Sequence, residues 1–208
     1  MKKKSIFSLT LIIILLLSSI SMSFAQTGYQ GYAIYRDGTA GDNWHTGILV
    51  LPSYTSLIKP IVHANGYNFN VSYTIYSSDS VQDNFLKGKE FNDNSLMGIY
   101  TVNGTTSTTY DKIMETADDL TENAIAYTFL DLCTFTPNGS TIEPSEINKM
   151  RCDGVVEYCY EFNDVVVGYG YDINYGDWWD ISKVSENNFH SAFTGPKEQA
   201  ENFMDFVE

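Results

Sequence analysis

Arg151-Cys152-Asp153-Gly154-Val155-Val156-Glu157 is the stretch on which the reading of this chain turns. From Cys152 onward the apolar residues fall at 152, 155, 156, 159 and 162. That is helical spacing, so the sequence predicts a helix with Cys152 in its first turn and one buried face. A helix N-terminus favours negative charge. A thiol placed there is expected to have a lowered pKa, and the thiolate is its reactive form. Gly154 permits close approach of another backbone or a ligand. The plain alternative is a small residue packed on an apolar stripe, a common fate of free cysteine.

Upstream, residues 1–25 read as a signal peptide. Met1-Lys2-Lys3-Lys4 is basic, Ile6–Ile20 is apolar, and Ser23-Phe24-Ala25 forms a small-x-small cleavage site. The apolar run is short for a membrane span and broken by serines. An exported, soluble form beginning at Gln26 is expected, with residues 26–208 forming one domain. The full chain carries 12 Lys+Arg against 26 Asp+Glu, a formal charge of −14. Such a surface repels nucleic acid and anionic lipid, so neither is expected as a partner. Three cysteines, Cys133, Cys152 and Cys159, leave at least one thiol unpaired. Cys152 and Cys159 would lie roughly 10 Å apart along one helix, too far for a disulfide. Pairing of Cys133 with either stays open. The sequons at Asn70, Asn103 and Asn138 are what chance supplies in a chain rich in Asn, Ser, Thr and Gly.

Strands are expected over 30–36, 45–51, 61–64, 69–76, 96–102 and 165–171, from alternation or continuous β-branched runs. A short helix is expected over 80–86. A longer one, capped by Thr108 or Thr109, should run to about Thr121, with apolar positions at 110, 113, 114, 117 and 120. Residues 124–135 are apolar and β-prone, Pro137-Asn138-Gly139 is a turn, and 143–146 leads into the Cys152 helix. Pro196 opens a helix over 196–206. This pattern is α+β, with a mainly antiparallel sheet packed against the helix that carries the cysteine.

The chain has three histidines. His45 opens the strand His-Thr-Gly-Ile, and His63 sits within Ile-Val-His-Ala. A thiol nucleophile needs a base within hydrogen-bond reach, and the base needs a polar group to orient it. Two adjacent strands, each presenting a histidine to one sheet face, would supply both. His190 lies in a polar segment and receives no role. Trp44 beside His45 would either shield the site or pack. For Trp178 and Trp179 packing is favoured, because large aromatics mostly bury. No ligand pair has metal-site spacing, and neither a phosphate loop nor a dinucleotide fingerprint is present, so no metal or cofactor is expected.

Taken together, His-Thr-Gly-Ile at 45–48, Ile-Val-His-Ala at 61–64 and Cys-Asp-Gly-Val-Val at 152–156 resemble the NlpC-type branch of papain-like thiol hydrolases. The histidines precede the cysteine, an order similar to the circularly permuted members, which include amidase-like bacterial proteins. Arg151 and Asp153 stand where that family has an acid and a serine, and an anion beside the thiol works against lowering its pKa.

The resemblance implies a permuted papain-like fold with Cys152 as nucleophile, His45 as base and His63 as orienting residue. It implies an exported hydrolase or amidase acting on peptide or amide bonds such as peptidoglycan stem peptides. Two other functions stay open. One is a non-catalytic binding module on the same fold, and the other is a thiol acyltransferase.

Overall fold

In the computed structural model the described residues are 28–37, 44–50, 61–65, 70–73, 96–168, 179 and 195–208. The expected signal peptide, the helix expected over 80–86, and His190 lie outside them.

The strands are β1 (Ala33–Arg36), β2 (His45–Leu49), β3 (Ile61–Asn65), β4 (Asn70–Tyr73), β5 (Leu96–Thr101), β6 (Ala126–Tyr127), β7 (Cys133–Phe135), β8 (Ile147–Met150) and β9 (Asp205–Phe206). The helices are α1 (Ser107–Glu122), α2 (Cys152–Glu161) and α3 (Pro196–Phe203). The class is α+β. The strands form one sheet in the order β7-β8-β6-β4-β3-β2-β1-β5-β9. Its pairs are antiparallel except β6 with β8, which run parallel.

The pleat divides the central strands into two faces. Ala33, Tyr35, Ile48, Val62 and Ala64 belong to the main core with Ile113, Ala117, Val155, Val156 and Cys159 of α1 and α2. Ile34, Leu49, Ile61 and Ile99 form a second buried cluster on the opposite face. Both faces are thus sealed, which explains why β1 and β2 are buried along their full length.

Helix α1 has the predicted stripe, with Tyr110, Ile113, Ala117 and Leu120 buried. Its cap, however, is Thr106, whose Oγ1 accepts the Thr109 N–H at 3.2 Å, rather than Thr108 or Thr109. A run of hydroxyls offers several caps, and the extended backbone at Thr106 decides among them. Helix α2 starts at Cys152 as the spacing required, but it is buried all round, Asp153, Glu157 and Glu161 included. It is hemmed in by β2, β3, α1 and α3, so its polar residues have no solvent face.

Three elements differ from expectation. Residues 147–150 form β8, with Ile147 and Met150 buried and Asn148 and Lys149 exposed, rather than a simple lead into the helix. Residues 165–168 form no strand. The Val167 N–H donates to the Glu161 carboxylate at 3.3 Å, so a side chain takes the place of a neighbouring strand. The C-terminal helix stops at Phe203, and Asp205–Phe206 joins β5 as an edge strand, with the Phe206 ring edge-on to Tyr100 at 5.5 Å.

Candidate active site

The two histidines are brought together by a local failure of strand pairing. β2 and β3 pair at Ile48↔Val62 and Leu49↔Ile61 and no further. Beyond that point His45–Gly47 faces His63–Asn65 without ladder bonds. Gly47 is what allows the rings to meet. A Cβ there would stand 2.6 Å from the Val62 carbonyl oxygen and 3.0 Å from the His63 Cβ. With that space clear, His45 Nε2 and His63 Nδ1 lie 2.8 Å apart, with the rings edge to face. Both side chains are buried, 3% and 0% exposed.

The pleat sets both imidazoles on the face of Ile34, Leu49 and Ile61, beside Arg36, which pairs with His45 across β1 and β2. His45 is held well below the ordinary histidine pKa. Burial is the main cause, followed by the Arg36 cation and then His63. At neutral pH it is an uncharged imidazole.

Cys152 approaches from the other side. Helix α2 packs on the main-core face of β2 and β3, opposite the face that carries the two imidazoles. The N–H groups of Thr46 and of Asp153, the latter in the uncapped first turn of α2, both act on the acidity of the thiol. Among the described residues no hydrogen bond joins the thiol to either imidazole.

The expectation of a lowered thiol pKa is reversed. Burial pushes Cys152 up to about 12, and the neighbouring Asp153 anion adds to this. The Thr46 N–H, Arg151 and the Asp153 N–H pull the other way and do not prevail. The helix N-terminus loses because the thiol is only 8% exposed. Cys152 thus rests as a thiol and His45 as an imidazole.

Asp153 itself is accounted for. Arg151 grips it with two bonds, Nε to Oδ1 at 2.9 Å and Nη2 to Oδ2 at 2.5 Å. Burial raises the Asp153 pKa and Arg151 opposes that rise. The start of α2 is anchored further by a chain that the sequence did not reveal. The Tyr35 hydroxyl donates to Gln199 Oε1 at 2.8 Å, and Gln199 Nε2 donates to the Asp153 carbonyl at 3.2 Å. Nothing in the sequence linked Tyr35 to a glutamine 164 residues away.

The remaining cysteines play no part. All three thiols are free, Cys159 is fully buried, and burial raises the pKa of both Cys133 and Cys159. Trp179 packs, 1% exposed and edge-on to Tyr158 at 4.6 Å. Trp44 packs half-buried against the core, near the Tyr35 ring. Among the described residues no three potential metal ligands come together, and no helix is long and apolar enough to cross a membrane. Comparison with protein-family models, with curated proteins and with solved structures found no match.

Proposed function

We propose that this chain is an exported thiol hydrolase of permuted papain-like fold, acting on amide or peptide bonds such as those of peptidoglycan stem peptides. The observation that carries the reading is the 2.8 Å contact between His45 Nε2 and His63 Nδ1, on strands against which the helix that starts at Cys152 packs. A nucleophile, a base and an orienting group are the parts that thiol acyl transfer requires.

In this mechanism His63 engages Nε2 of His45, so the base works through Nδ1. The Cys152 proton passes to His45 as the sulfur attacks the carbonyl carbon and the C–S bond forms. The oxyanion is met by N–H groups at the start of α2. The C–N bond then breaks, His45 returns the proton to the leaving amine, and water releases the acid from the thioester.

A second reading, a binding module without turnover, is favoured by the neutral, buried thiol. Mass spectrometry of the protein mixed with N-acetylglycine p-nitrophenyl ester separates the two, alongside amine release from a muropeptide mixture. A hydrolase forms an acyl adduct on Cys152 and turns over. Cys152→Ala and His45→Ala each abolish this, because nucleophile and base act as a unit. His63→Ala leaves a remnant, and His63→Asn recovers more than His63→Ala, since an amide still bonds the imidazole. No adduct, no amine release and no iodoacetamide labelling of Cys152 below pH 9 would leave the binding module as the function.

A further inference from the structure

Among the described residues the exposed large apolar side chains are Phe206 and Val207 near the C-terminus and the adjacent pair Phe129 and Leu130. Phe129 and Leu130 are 67% and 80% exposed, side by side in the connection between β6 and β7. This connection is tied firmly at both ends to the element that carries the thiol. On one side the Thr128 N–H donates to the Met150 carbonyl at 3.1 Å, and the Leu130 N–H donates to Thr128 Oγ1 at 3.2 Å. On the other the Arg151 N–H donates to the Leu132 carbonyl at 3.0 Å. That same carbonyl lies against Gly154, so close that a Cβ there would be 2.3 Å away. The prong is therefore held against the residues on either side of Cys152.

A second aromatic ring stands beside the prong. The Phe129 ring stands edge-on to Tyr127 at 4.6 Å. Tyr127 is half-buried and pairs with Met150, two residues before Cys152, across β6 and β8. An exposed apolar pair, seated with a half-buried tyrosine beside the segment that carries the thiol, has the layout of a substrate-binding lip. Its size is informative. Two side chains offer contact to one aliphatic or aromatic residue, and a long acyl chain would run past them. The charge of −14 counts against docking on an anionic bilayer, and Asp131, exposed next to Leu130, adds to that.

We infer that Phe129 and Leu130 form a specificity lip that receives an apolar amino-acid side chain of a peptide presented to Cys152. The inference rests on the proposed hydrolase reading for its catalytic consequence, but the binding contact itself does not require turnover. The lip positions substrate and takes no part in bond making.

The test uses the full mature protein, the double variant Phe129→Ser/Leu130→Ser, and Cys152→Ala. Both lip residues are exposed, so the double variant keeps the fold, which its thermal unfolding checks. Turnover is measured on the p-nitrophenyl esters of N-acetylleucine, N-acetylglycine and octanoic acid. Binding of N-acetylleucinamide and N-acetylglycinamide is followed by NMR chemical-shift titration. The wild type should prefer the leucine over the glycine ester by about tenfold in kcat/KM, the scale of a few methylenes in an apolar site. The double variant should lose that preference, its kcat/KM for the leucine ester falling to the level of the glycine ester.

N-acetylleucinamide should bind wild type and Cys152→Ala alike and the double variant at least several-fold more weakly. If no ester is turned over, the hydrolase reading fails while the titration still decides the lip. An unchanged leucine preference or unchanged amide binding in the double variant overturns the inference. So does a preference for octanoate that the variant abolishes, or a lip-dependent dimer in sedimentation.

Discussion

Gly154→Ala sets two well-understood effects against each other on the helix that carries the thiol. In a solvent-exposed helix this substitution stabilises by about 1 kcal/mol, because alanine has the higher helix propensity. Here the added Cβ would lie 2.3 Å from the Leu132 carbonyl oxygen and 3.0 Å from Met150 Cγ, whereas ordinary contact begins at 3.4 Å. The oxygen would have to retreat by about 1 Å, in an interior packed as densely as a crystal. It cannot do so freely, since it also accepts the Arg151 N–H at 3.0 Å.

Backbone overpacking of this degree belongs at the upper end of its usual range, about 3 kcal/mol. The balance is a destabilisation of about 2 kcal/mol, or a fall in Tm of about 4–8 °C for a domain of this size. Gly139→Ala is the control, because the nearest atom to its Cβ is 3.8 Å away, and it should leave Tm within about 1 °C. Thermal unfolding followed by circular dichroism gives the answer. A Gly154→Ala protein as stable as wild type, or more so, would show that propensity outweighs packing. The close seat of the β6–β7 connection on α2 would then be wrong.

Two further predictions follow from the electrostatics. Arg151→Ala strips the partner from Asp153, whose side chain is 1% exposed, and should cost about 3–5 kcal/mol in urea unfolding. Replacing both residues by Leu and Met should recover much of it, and a loss below about 1 kcal/mol in the single variant would mean that Asp153 is not a buried anion. The pH dependence should show two opposed slopes. His45 has a depressed pKa, so the unfolded chain binds its proton first, and stability falls as pH drops below about 6.5, by up to about 1.4 kcal/mol per unit. Glu161 is pushed well above its ordinary value by burial and then by Glu157, so its contribution is full below about 4.5 and is lost as pH rises. His45→Gln should remove the first slope and Glu161→Gln the second, each read as the difference from wild type in urea midpoints between pH 4.5 and 7.5. Identical profiles in either pair would refute the corresponding assignment.

What could be read from the chain was what repeats along it. The stripe of α1, the start of α2 at Cys152 and the strands bearing His45 and His63 follow from periods of 3.6 and 2. These periods need no knowledge of partners. The approach of a backbone at Gly154 was also legible, because few other reasons place glycine in a buried helix. Ile147–Met150 was not legible, since Ile-Asn-Lys-Met does not alternate, and its pairing with β6 and β7 is what makes it a strand. The failure at Val165–Val167 has the opposite cause. β-branched residues signalled a strand, but Glu161 supplied the hydrogen bond that a neighbouring strand would have made. The acid–base state of the site was the least legible. Position at a helix start is a sequence property, and degree of burial is not.

That last point bears on how the proposed chemistry would run. The raised thiol and the depressed imidazole share one leading cause, loss of water. In the resting site a proton moved from sulfur to His45 would leave two charges where both groups are now neutral, next to the Arg36 cation and the Asp153 anion. Arg36 opposes the imidazolium and Asp153 opposes the thiolate, so a preformed ion pair is disfavoured from both ends. The same transfer becomes favourable if it coincides with attack, because the negative charge then leaves the sulfur for the carbonyl oxygen, near the first N–H groups of α2. On the proposed reading His63, whose Nδ1 lies 2.8 Å from His45 Nε2, would steady the imidazolium that forms. The nucleophile would then be generated as substrate arrives, and burial would guard the thiol from reaction when no substrate is present.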